Sequence, residues 1–180
     1  MQGPGDILDF WFGELTPAQW YAASDVIDAI ISQRFGGVHA AAARCELSAW
    51  RETPEGRLAE IIVLDQFSRN IHRNEAAAFA QDALALALAQ EAVRVGADAA
   101  LPPERRAFLY LPYMHSESAV IHDVALVLFD QPGLENNLDF ERKHKVIIDR
   151  FGRYPHRNAV LGRKSSAEEI AFLATPGSSF

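Results

Sequence analysis

The sequence predicts an all-α protein, with antiparallel helices forming a bundle or a stack of helical hairpins. Three observations predict it. Helix caps recur along the chain, apolar residues repeat with the period of an amphipathic helix, and Gly or Pro closes almost every such stretch, while period-2 alternation is nearly absent. With 180 residues, 49% of them hydrophobic, and a mean hydropathy of −0.06, the chain can bury one sizeable core, so a single all-helical domain over residues 1–180 is expected.

The elements follow in order. Asp6 is placed to cap a short segment through Trp11 and Phe12, closed by Gly13, and Thr16-Pro17 reads as an N-cap with proline at the first helical position. Ser24 or Asp25 opens a helix through Val26, Ile27, Ile30 and Ile31 that stops at Gly36-Gly37. An Ala-rich turn and Trp50 precede the starter Thr53-Pro54-Glu55. The helix after it holds Leu58 and the run Ile61 to Leu64; apolar residues in succession leave little room for a solvent face, so this helix is predicted to be central. Asn74 reads as the cap of a long Ala/Leu-rich helix ending near Gly96, with Phe79, Leu86 and Val93 at heptad spacing. After Leu101-Pro102-Pro103 a helix carries Arg105 to Tyr110, and Pro112 breaks it into a turn containing His115, Ser116, Glu117 and Ser118. Val120, Ile121, Val124, Val127 and Leu128 trace a stripe up to Pro132-Gly133. Residues 138–151 form another helix, with His144, Ile147, Ile148 and Phe151 on one face. Ser165 and Ser166 each stand three residues before an acid, Glu168 and Glu169, the capping-box spacing for a closing helix through Ile170, Phe172 and Leu173.

Charge is unevenly distributed. Residues 141–164 hold eight of the 17 Lys and Arg against two acids, a local balance of +6 within a chain of net charge −7. A small anion or an acidic peptide carboxylate fits that excess; the acidic remainder of the chain argues against nucleic acid. Fourteen of the 17 basic residues are Arg, whose planar fork suits carboxylate or phosphate recognition. The single cysteine, Cys45, has no internal partner and suits a reducing compartment. The first residues carry acids and no bases, against a secretory leader, and apolar stretches such as residues 83–89 fall far short of the roughly 20 residues a membrane span needs. The expectation is a cytoplasmic protein without membrane association.

One motif occurs twice, 84 residues apart: D-x-F-[SG]-R-x-x-H-R-N at residues 65–74 and again at 149–158. Its structural reading is a helix stop made twice. Asp65 precedes Arg69, and Asp149 precedes Arg153, by four residues, the favourable order for an intrahelical pair, and Arg and His near a helix C-terminus complement its dipole. The functional reading starts from a surplus of donors. Arg69, Asn70, Arg73, Arg153, His156, Arg157 and Asn158, with Arg163 five residues further on, exceed what a helix stop requires, and the two segments are expected to face each other across one anion site.

His115 and Glu117 form a second candidate, a general acid/base pair, since imidazole titrates near neutrality. The spacing gives no HExxH or cysteine cluster, so no metal is expected; no phosphate-binding loop, dinucleotide fingerprint or nucleophile elbow occurs, and no cofactor is expected.

The strings FWFGE, IIVLDQFSRNIHR, AFAQDALALA, FLYLPYMHSE, RFGRYPHRN and LGRKSSAEEIAFL run in order over nearly the whole chain. Together they resemble the bacterial domain-of-unknown-function family numbered 924. The resemblance implies a tetratricopeptide-like superhelical bundle and names no activity. Two function classes follow: a helical binding or scaffold module whose Arg/His/Asn site clamps an anion, or a small-molecule enzyme acting on an anionic substrate with His115 and Glu117 as acid and base.

Overall fold

The computed structural model describes residues 2–179, and among these no strand occurs. Helix α1 (Pro4–Asp9) opens with the Gly3 N–H donating to Asp6 at 2.7 Å and runs into a π-helical turn, Phe10–Glu14. Asp6 therefore reaches back from inside the first turn. Helix α2 (Pro17–Trp20) starts at Thr16, and α3 (Asp25–Ala43) at Ser24, whose Oγ accepts the Ile27 N–H. Helix α4 (Pro54–Ile62) starts at Thr53, whose Oγ1 accepts the Gly56 N–H at 3.0 Å. It continues through a second π-helical turn, Val63–Phe67, into α5 (Ser68–Ile71). There follow α6 (Asp82–Arg94), α7 (Pro103–Met114), α8 (Ala119–Phe129), α9 (Glu135–Phe151) and α10 (Ala167–Leu173), the last opened by a Ser166/Glu169 capping box.

The segment from α4 through its π turn is the centre of the molecule, as its unbroken apolar run predicts. Leu58, Ile61, Ile62, Val63, Leu64 and Phe67 are all fully buried, each such side chain contributing about 1.5–3 kcal/mol. Phe67 meets Phe10, Trp11 and Phe35 in an aromatic cluster. Ala85, Ala89 and Ala92 form the buried face of α6; small side chains there let α6 lie close against α4 and α7. From α6 to α9 each helix packs on the next.

Four expectations are corrected. Helix α3 passes through Gly36-Gly37, because Phe35, Val38, His39, Ala41 and Ala42 are buried on both sides, and that burial exceeds the roughly 1 kcal/mol each glycine costs. Asn74 is left-handed, with φ 66°; it turns the chain after α5, and a 3-10 turn, Ala76–Phe79, precedes α6. Helix α7 continues through Pro112 to Met114, since residues 107–114 are all buried and the proline interrupts only the last turn. On α8 the valines of the supposed core stripe, Val120, Val124 and Val127, are exposed, and His122, Ala125 and Phe129 are buried instead. His122 is accepted inside because Glu141 of α9 meets its Nδ1 at 2.6 Å and the Ser116 carbonyl meets its Nε2 at 2.8 Å.

Candidate functional site

The π-helical turn after α4 carries Asp65, which is 1% exposed. An extra residue in the turn is a local departure from α-helical geometry that recurs at functional positions. The Asp65 carboxylate is fully answered. Oδ1 accepts from His115 Nδ1 at 2.7 Å and lies 3.1 Å from Arg69, while Oδ2 accepts from Gln66 at 2.6 Å. Burial raises the Asp65 carboxyl, but the Arg69 charge and the His115 contact outweigh it and hold the group well below the usual carboxylate range. Since the carboxylate accepts, Nδ1 of a neutral His115 carries the proton. Burial is the largest influence on His115 and holds it below 6.5, against the pull of Asp65, so the imidazole is neutral at neutral pH.

Arg69 extends past Asp65 to Asp82 at the start of α6, donating from both terminal nitrogens at 2.9 and 3.0 Å. The second repeated segment arrives at the same carboxylate. Helix α9 ends at Gly152, left-handed at φ 67°, and the chain turns through a 3-10 segment, Pro155–Arg157. That turn buries Arg157 to 7% exposure between the rings of Phe79 and Tyr154, its guanidinium 4.6 and 4.7 Å from their centroids. Arg157 donates to the His115 carbonyl at 3.0 Å and lies 3.3 Å from Asp82; its buried Nε has no hydrogen-bond partner among the described residues. Asp82 thus joins Arg69 of the first segment to Arg157 of the second.

Around this junction lies a cavity of about 380 Å³. Ala76, Phe79, Ala80, Ala83, Leu86, Pro112 and Leu161 form its apolar wall; Asp82, His115, Ser116, Glu117 and Arg157 form its polar end. Glu117 does not pair with His115. It accepts from Arg163 at 2.6 and 2.9 Å and from the Tyr154 N–H at 2.7 Å. Burial raises its carboxyl, and the Arg163 hydrogen bonds bring it below the usual range. The carboxylate against His115 is Asp65, fifty residues away in sequence.

The other members of the expected anion set are dispersed. Asn70 and Arg73 both bind Asp28 of α3. Arg153 is paired with Glu169 of α10 at 2.7 Å, and Asn158 accepts from Arg163. His156 Nδ1 is buried without a partner among the described residues, and burial lowers this imidazole to about 4. Asp149 pairs with Lys145, so the two repeats differ in what their aspartates do. Asp82, Phe79 and Tyr154 complete the site; the sequence marked Phe79 only as an apolar heptad position and gave Asp82 and Tyr154 no functional signal. Among the described residues no group of three or more His, Cys, Asp or Glu is placed to hold a metal ion, and no helix is long and apolar enough to cross a membrane.

Residues 7–177 match the model of a family described as bacterial protein of unknown function, DUF924. The chain is similar to the solved structure of a protein of unknown function, ATU0120, from Agrobacterium tumefaciens, at 39% identity over 95% of this chain and 96% of that one, with a TM-score of 0.91. No curated protein matches the chain.

Proposed function

This chain belongs to the bacterial DUF924 family of unknown function, and we propose that it binds a small anionic molecule in the cavity where its two repeated segments meet. The observation that carries this reading is Arg157. It is buried at the cavity wall and held in orientation by two aromatic faces, and beside its hydrogen bond to the His115 carbonyl and a long contact to Asp82 its Nε has no partner among the described residues. A carboxylate or phosphate meeting that guanidinium gains charge-assisted hydrogen bonds. The apolar wall receives the rest of the ligand, and a volume of about 380 Å³ suits a small molecule more than a peptide. The succession of α6 to α9, each packed on the next, supports the tetratricopeptide-like stacking of hairpins, with the site between α6 and the end of α7.

Thermal unfolding tests the reading. Inorganic phosphate or succinate should raise the melting temperature by mass action, the stabilisation reaching about 2.7 kcal/mol at roughly 100 times Kd. Arg157→Lys keeps the charge and removes the fork; most of the response should be lost. Arg153→Ala, whose side chain is held by Glu169 and does not line the cavity, should keep it. A wild-type response in Arg157→Lys would refute the assignment.

A further inference from the structure

We propose that His115, positioned by Asp65, is a general base that takes a proton from water as the water attacks an uncharged polar substrate in this cavity, the negative charge formed on the substrate being taken up by Arg157. The proposal rests on the cavity reading above for the role of Arg157 and adds catalysis to it.

Three observations carry it. First, the Asp65 contact places the proton of the neutral imidazole on Nδ1, so Nε2 holds the lone pair. Asp65 is itself locked by Arg69 and Gln66, which fixes the ring plane as well as the tautomer. Second, the ring is 17% exposed and lines the cavity, and Nε2 has no hydrogen-bond partner among the described residues. His39 and His122 lack this arrangement. His39 meets Ser68 at 2.8 Å, but the Ser68 hydroxyl donates to the Leu64 carbonyl, so His39 must donate too. Both His122 nitrogens face protein acceptors. Third, the cluster is electrically balanced: Asp65, Asp82 and Glu117 stand against Arg69, Arg157 and Arg163, with His115 neutral. An uncharged substrate therefore enters without upsetting the balance. Proton transfer then creates an imidazolium against the Asp65 carboxylate already hydrogen-bonded to it and an anion in the cavity that the Arg157 charge lines, which is stabilisation specific to the charge-separated state. The geometry follows the logic of a carboxylate-oriented histidine in acyl-transfer enzymes.

The substrate class is a small uncharged molecule whose reaction with a base generates an oxyanion, such as an ester attacked by water. p-Nitrophenyl acetate is the probe. Nε2 takes one proton of a water molecule as the water oxygen bonds to the acyl carbon, and the carbonyl oxygen becomes negative in front of Arg157. Collapse breaks the bond to the aryl oxygen, expelling p-nitrophenolate and leaving acetic acid; the imidazolium returns its proton to solvent.

Wild-type protein should show saturable release of p-nitrophenolate that rises with pH through one ionisation, and His115→Gln should lose at least tenfold. Asp65 is tested by the nitrogen spectrum of a protein labelled at its histidine rings. At pH 7 His115 of the wild type should carry its proton on Nδ1 with Nε2 bare, and Asp65→Asn, confirmed folded by circular dichroism, should give a tautomer mixture and slower release. Release at the wild-type rate in His115→Gln, or a wild-type His115 protonated on Nε2, overturns the proposal. Phosphate separates the two readings. If it neither inhibits release nor raises the melting temperature while His115→Gln still loses turnover, the anion site fails and the base stands; if it binds while His115→Gln keeps its rate, the base fails and the anion site stands.

Discussion

Asp65 shows how one buried carboxylate organises several groups. It follows an unbroken apolar run, sits at 1% exposure, and holds Arg69, Gln66 and His115 together. Removing it leaves Arg69 with one carboxylate fewer and His115 with no partner for Nδ1. Asp65→Ala should destabilise the fold by about 3–5 kcal/mol in urea unfolding, the cost of breaking a buried pair by deleting one member. A loss below about 1 kcal/mol would show that solvent or Asp82 replaces it.

At the level of elements, α3 shows burial outweighing local preference. Gly37 lies inside this helix, exposed, and nothing lies within 4 Å of where a Cβ would stand. Gly37→Ala should therefore stabilise the protein by about 1 kcal/mol, seen as a higher urea midpoint with an unchanged slope. Destabilisation would mean that the flexibility of the glycine pair is needed elsewhere. Gly56 is the opposite case. A Cβ there would sit 1.9 Å from the Trp50 carbonyl oxygen, so the first turn of α4 admits no larger residue without moving the preceding segment.

Across the whole molecule, histidine burial sets the response to acid. His39, His115, His144 and His156 are all held below 6.5, in each case chiefly by burial, His156 to about 4 and His144 to about 3. The sign follows from proton counts. Between the folded values and 6.5 the unfolded chain binds more protons than the folded one, so this stability is fully present above about 6.5 and declines as pH falls toward the folded values. The Asp65 contribution is lost only at much lower pH, because its folded value lies below 3.8. Melting temperature measured from pH 8 to 4.5 should stay level down to about 7 and fall below 6.5. A flat profile to pH 4.5 would mean that these rings are solvated.

The sequence by itself determined the all-α class, the caps at Thr16 and Thr53, the caps at residues 24–25 and 165–166 to within one residue, the central position of the α4 segment, and the existence of two related segments with more donors than a helix end uses. These are local properties: a cap is read within four residues, and an apolar run declares its own burial. Only the tertiary structure decided which carboxylate each donor meets. Arg69 and Arg157 converge on Asp82, whereas Arg73 turns to Asp28 and Arg153 to Glu169, although Arg69 and Arg153 occupy one place in the repeat and Arg73 and Arg157 another. His115 finds Asp65 across fifty residues and not Glu117 two residues away. The valines of α8 face outward because the buried side of that helix is set by its neighbours, which supply Glu141 to His122 and Tyr110 to Phe129. The periodicity of one helix shows that a face exists; which face is covered depends on the packing of the others.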